Sequence, residues 1–223
     1  KKFHKKPPKN KIKYLKNNYD WVVINYHGDE EYTHIPLPRR RNLFQKYINY
    51  GADIIISHHP HVVQGYEKTD KSLVLYSLGN FIFDIPNHKN YEGTDESIIA
   101  NIVFKKNSYS FDVIYTKIDF NSGYINLIPK NQFFLNLSHP SYFNYNMKWD
   151  EECFRLIYNS VKNKINITNS RIRIGSANKN IFRVFVNYCR IKYLFNILKI
   201  LRSRNSRPIF FGFAKHYFRN FIK

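Results

Sequence analysis

Two short apolar runs, Trp21–Tyr26 (WVVINY) and Asp53–Ser57 (DIIIS), each lead straight into histidine, and this pairing constrains the fold more than any other feature of the chain. Both are too short for a helix and dense in β-branched or aromatic residues, as buried strands are. Between them Pro36 and Pro38 mark a loop, and Pro38 suits the first turn of a helix. Leu43, Phe44, Tyr47 and Ile48 then recur at helical spacing as far as Gly51, which fits the cap. Strand, helix, strand predicts parallel neighbours. His27 and the cluster His58-His59-Pro60-His61 would then emerge at the same carboxyl edge of one sheet, where α/β folds place their ligands.

Further along, Leu73–Leu78 and Phe81–Phe83 read as strands around a turn at Gly79-Asn80. Ile98–Phe104 and Tyr109–Ile118 read as a hairpin closed by Lys106-Asn107-Ser108. Residues 121–150 are a loop-rich connection. Helical periodicity returns beyond Asp150, where Ile181, Val184, Tyr188, Ile191, Phe195 and Leu198 form one apolar stripe.

Charge divides the chain in the same way. Residues 1–16 carry eight lysines and no acid; residues 17–150 carry twelve basic and fourteen acidic side chains; residues 151–223 carry sixteen basic and two acidic. The organisation expected is therefore a basic N-terminal segment (1–16), an α/β segment (17–120), the connection (121–150) and a basic, mainly helical extension (151–223). Basic ends attract acidic lipid, nucleic acid or an acidic polymer, although a coding bias toward Lys, Asn, Ile and Tyr accounts for them equally well. The stripe from Ile181 can lie on an anionic membrane surface or pack onto the domain. Interleaved aromatics and Arg219 near the end can stack bases, but no nucleic-acid module is recognisable. No apolar segment of signal-peptide or membrane-span length is visible, so the location expected is cytoplasmic or peripheral at the cell envelope. Cys153 and Cys189, the two cysteines, have no paired spacing and argue against a disulfide framework or a cysteine zinc site.

The chemistry-bearing residues are the histidines. In an extended segment, residues two apart share a side, so His59 and His61 would face one site while His58 points away. His27, from the neighbouring strand, would add a third imidazole, a donor set suited to zinc, iron or manganese. From spacing alone, structural histidines fit as well as ligands. His34 and His88 read as surface residues.

A longer pattern favours ligands. The segments His27–Tyr32 (HGDEEY), Pro36–Pro38 (PLP), Gly51–Asp53 (GAD), Ser57–His61 (SHHPH), Gln64–Glu67 (QGYE) and Tyr76–Asp84 (YSLGNFIFD) resemble, in order and spacing, the second half of a bacterial capsule-synthesis (CapA-type) metallophosphoesterase domain. The resemblance implies part of a calcineurin-like αββα sandwich with a two-metal centre of Mn, Fe or Zn at the strand ends. On the matching positions His27, His59 and His61 are metal ligands, and His58, Glu31, Glu67 and Asn80 are second-shell or substrate-binding residues. Which residues are catalytic is not implied. Ser57 and Asp29 stand where the family usually has glycine. The family's Asp-x-His, Gly-Asp and Gly-Asn-His segments have no counterpart in residues 1–20, so the expectation is an incomplete site. That fits a split-gene half, a degenerate paralogue, or a chain completed by a partner. The substrate class expected is a phosphate ester or acidic polymer in capsule or poly-γ-glutamate synthesis. The alternative function is a non-catalytic envelope accessory that holds polyanions through its basic ends.

Overall fold

The computed structural model describes residues 9–83, 85–86, 88–138, 144–168 and 206–221. The chain divides into two units, residues 1–146 and 147–223.

The first unit opens with helix α1 (Lys9–Asn18), followed by β1 (Val23–His27), α2 (Pro38–Asn49), β2 (Ile54–His58), β3 (Val63–Lys68) and β4 (Leu73–Leu78). These strands make a four-stranded sheet in the order β1-β2-β4-β3. β1, β2 and β4 are parallel, and β3 runs antiparallel to β4. The βαβ unit expected from the two apolar runs is present, with Pro38 at the start of α2. Gly51 has φ +110°, and a Cβ there would meet Lys16 Cβ at 2.9 Å, so the turn out of α2 uses both the left-handed backbone and the missing side chain.

Burial on both faces explains the unbroken apolar run of β2. Ile55 joins Val74 and Tyr76 on the face covered by Ile12 of α1 and Phe44 of α2. Ile54 joins Leu73 and Leu75 on the opposite face, against Ile98 and Phe134. Period two carries alternate residues into two cores, as expected for a covered parallel sheet. The second core lies beneath a three-stranded antiparallel sheet of β5 (Glu96–Phe104), β6 (Tyr109–Ile118) and β7 (Ile125–Ile128). The layers are helices, mixed sheet, antiparallel sheet: a partial α/β sandwich.

Several elements differ from the sequence reading. Residues 1–16 were expected only as a basic segment, yet Lys9–Asn18 is helical. Its Ile12 is buried, and its Lys16 is paired with Asp53 at 2.8 Å. β3 was not foreseen, nor was β7 inside the supposed loop. Phe81–Phe83 is a bend rather than a strand, because after Gly79 (φ +77°) only an isolated bridge to Ser97 continues the pairing. The hairpin of β5 and β6 forms as expected, from Glu96↔Lys117 to Phe104↔Tyr109.

In the second unit, α3 (Tyr145–Thr168) begins just before the boundary and α4 is Ser206–Phe221. Phe154 stacks on Phe213 with ring centroids 5.5 Å apart, and Asp150 pairs with Arg219 at 3.2 Å. The apolar stripe from Ile181 to Leu198 lies outside the described residues. Among the described residues, no helix is long and apolar enough to cross a membrane.

Candidate metal centre at the carboxyl edge of the sheet

β1 and β2 end together: their register pairs Tyr26 with Ser57 and His27 with His58. The chain beyond each strand is tightly turned. Asp29 (φ 81°) and Tyr32 (φ 63°) follow β1, and His59 (φ 107°) and His61 (φ 61°) follow β2. Left-handed backbone at four non-glycine residues is uncommon and costs of order 1–3 kcal/mol each, so a surrounding framework must impose it. The two loops are tied directly by the Tyr32 amide, which donates to the Pro60 carbonyl at 2.8 Å. His59 and His61 therefore do not alternate along an extended strand as the sequence suggested. They converge through turns, with ring centroids 5.8 Å apart.

His27 lies beside them. Its Nε2 is 3.3 Å from His59 Nδ1, and the rings are 5.1 Å apart. With Nδ1 facing His27, His59 presents Nε2 to the other side, where Glu31 Oε1 lies 3.3 Å away. That nitrogen is shielded from solvent and makes no hydrogen bond among the described residues, so it is close to the carboxylate without being bonded to it. Burial pulls the His59 pKa below the usual imidazole value and the neighbouring His27 and His61 add to this, while Glu31 opposes it. The outcome is a neutral imidazole with a lone pair to offer.

His61 is oriented by Asn80. The Asn80 Nδ2 donates to the Thr94 carbonyl at 3.1 Å, which leaves Oδ1 facing His61 Nδ1 at 3.0 Å. An amide oxygen only accepts, so His61 Nδ1 is the donor in this contact, and Nε2 is the ring nitrogen left to meet a ligand. Glu31, His59 and His61 each offer one ligand atom, and these atoms lie within 4.8 Å of one another.

Beneath the rim sits a buried ion pair that the sequence reading missed. Arg40, on α2, and Glu30 are both fully buried and 2.6 Å apart. Arg40 also donates to Ser57 Oγ and to the Tyr76 carbonyl, each at 3.0 Å, and to Gln64 Oε1. Glu30 Oε1 further accepts from the Leu37 amide at 2.8 Å. One guanidinium thus joins the loop after β1 and the end of β2 to β3 and β4. A signal was present: Arg40 falls four residues before Phe44, on the face of α2 that the helix buries.

The match with known proteins covers this part of the chain. Residues 2–85 match the family model of the bacterial capsule synthesis protein PGA_cap. Over these residues the chain is similar to that family. It is 48% identical over 69 residues to the capsule biosynthesis protein CapA of Bacillus anthracis, covering 31% of this chain and 17% of that protein. It is 38% identical over 96 residues to the PGA biosynthesis protein CapA of Bacillus subtilis strain 168, covering 43% of this chain and 24% of that protein. An uncharacterized protein of Sinorhizobium fredii, y4sH, is 33% identical over 67 residues, 29% of this chain and 14% of its own length. The chain therefore corresponds to between about a seventh and a quarter of these relatives.

The residues singled out from sequence separate into two groups. His27, His59, His61, Glu31 and Asn80 come together at the rim. His58 ends β2 half-buried, and burial, followed by the nearby His27, lowers its pKa. Glu67 does not orient a histidine: it lies on β3, where its carboxylate bonds Arg41 and Gln45 of α2. Of the two supposed surface histidines, His34 is buried, whereas His88 is partly exposed. His34 is 4% exposed and stacks on Phe133, and His88 packs edge-on to His61 with centroids 4.4 Å apart.

Proposed function

We propose that the chain contributes the histidine-bearing rim of a CapA-type, metal-dependent phosphoesterase acting in capsule or poly-γ-glutamate synthesis. The observation that carries this reading is the convergence of His27, His59 and His61 from two adjacent parallel strands. The donor set suits a divalent Mn, Fe or Zn ion: burial lowers the His59 pKa, its Nε2 is buried without a hydrogen bond, and Asn80 engages His61 through Nδ1, leaving Nε2 as the nitrogen to present. The chemistry such an ion supplies when bound is Lewis-acid activation of a phosphate ester toward water. The chain's own residues do the remainder. His27 and Asn80 fix the presented nitrogens of His59 and His61, and the Tyr32–Pro60 bond keeps the two loops in register.

The substrate class that follows is a phosphate ester or a polymer of capsule or PGA synthesis, the processes for which the Bacillus relatives are named. The test is metal analysis of the purified chain, wild type and His59→Ala/His61→Ala, together with hydrolysis of a generic phosphodiester. Bound metal in the wild type and its loss in the double variant are expected. A wild type that takes up no divalent ion at all would leave the polyanion-holding accessory as the better account.

A further inference from the structure

We propose that Glu31 is itself a ligand, so that Glu31, His59 and His61 form a one-carboxylate, two-imidazole metal site assembled within this chain. This rests on the metal-binding reading above and adds a ligand to it.

Three acids follow β1 in succession, and the structure disposes of them differently. Asp29 accepts from the Tyr26 hydroxyl at 2.6 Å and pairs with Arg39 at 2.6 Å. Glu30 turns inward and is consumed by the buried Arg40. Glu31 has neither lysine nor arginine beside it among the described residues. Its side chain, 40% exposed, instead reaches His59 Nε2. A carboxylate 3.3 Å from an imidazole nitrogen without hydrogen-bond geometry has the spacing of two donors that point at a common third atom rather than at each other. Adding His61 keeps all three ligand atoms within 4.8 Å of one another, so a small side-chain adjustment on binding brings them within the about 4.4 Å limit that metal–ligand bonds of roughly 2.0–2.2 Å impose.

The placement is enforced. Glu30 is held inward on Arg40, while Glu31 lies at the rim beside His59. The left-handed Tyr32 and its amide bond to Pro60 then hold the loop against the histidine turn. Charge is consistent as well: one carboxylate and two neutral imidazoles leave part of a divalent ion's charge for an anionic substrate. The site needs no ligand from the first half of the family's domain. It is therefore expected to bind one ion even when the chain is alone.

The test is equilibrium dialysis of the full chain against Zn(II) and Co(II), with visible spectra of the cobalt form, for the wild type, Glu31→Gln, Glu31→Asp and His59→Ala/His61→Ala. Glu31→Gln keeps the shape and removes the anionic donor, and should weaken binding at least about tenfold, with a changed cobalt spectrum. Glu31→Asp, which keeps the charge, should fall between Glu31→Gln and the wild type. Circular dichroism of each variant confirms that it is folded. If Glu31→Gln binds as tightly as the wild type with the same spectrum, while the double histidine variant does not bind, Glu31 is no ligand and the histidine reading survives. If the wild type itself binds nothing, both fall together.

Discussion

Replacing Arg40 with methionine tests whether the buried polar network holds the rim together. Arg40 and Glu30 are both fully buried, and Arg40 serves four acceptors: Glu30, Ser57, Gln64 and the Tyr76 carbonyl. Methionine fills much of the volume but leaves a buried carboxylate without its cation. Removing one partner of a buried pair typically costs about 3–5 kcal/mol. At roughly 2–4 °C per kcal/mol for a domain of this size, the melting temperature should fall by on the order of 10 °C. The second arm is Glu30→Gln, which keeps an acceptor for the Leu37 amide while removing the charge. Arg40→Met combined with Glu30→Gln should be more stable than Arg40→Met alone, since the stranded charge is gone. Thermal and urea unfolding of the four proteins gives the cycle. A loss below about 1 kcal/mol for Arg40→Met, or strict additivity of the two substitutions, would refute the idea that the pair works as a unit.

Asp53 and Lys16 form a pair whose members should not be equally costly to remove. Asp53 Oδ2 accepts the buried Val22 amide at 2.8 Å, so Asp53→Ala should cost about 1–3 kcal/mol in urea unfolding. Lys16, 40% exposed, should cost only about 0–1 kcal/mol as Lys16→Ala; equal losses would contradict the assignment. Gly65→Ala places a Cβ 2.3 Å from the Leu135 carbonyl oxygen and should destabilise by about 1–3 kcal/mol, so an unchanged melting temperature would show that this strand can yield. Alkaline pH should unfold the protein. Burial, as the largest cause, raises the Tyr26, Tyr32, Tyr76 and Tyr145 pKa values and pushes Tyr109 up to about 12. Unfolded tyrosines lose their proton near about 10, so above that pH the unfolded chain binds fewer protons and stability falls as pH rises. Urea midpoints that stay level from about pH 9 to about pH 11 would count against this.

Legibility in the sequence followed the kind of burial involved. β1, α2, β2 and β4 were readable because apolar side chains fill two cores at the periods of their own elements, as Ile54 and Ile55 do on opposite faces. β3 was hidden because its buried positions include Gln64 and Glu67, polar letters made compatible with burial by Arg40, Thr33, Arg41 and Gln45 from distant stretches. α1 was hidden because lysine dominates it and only Ile12 is fully buried. The proximity of His59 to His61 was foreseen through the wrong backbone: alternation along a strand would bring them together, but two left-handed turns do so instead. His88 has no local signal, since its place beside His61 depends on the path taken after Gly79.

The strained backbone and the buried ion pair belong to one device. Four left-handed residues, at about 1–3 kcal/mol each, carry a sum comparable to the whole stability of an ordinary domain, so the loops cannot hold their shape on local preference. Arg40 reaches both loops at their roots, Glu30 in one and Ser57 at the entry to the other, and the Tyr32–Pro60 bond joins them further out. Stability and donor geometry should therefore fail together. Arg40→Met at a temperature where it remains folded should already bind Zn(II) more weakly than the wild type, although Arg40's hydrogen bonds go to Glu30, Ser57, Gln64 and the Tyr76 carbonyl and not to the donors. Unimpaired binding in that variant would mean that the turns are held by the rim alone.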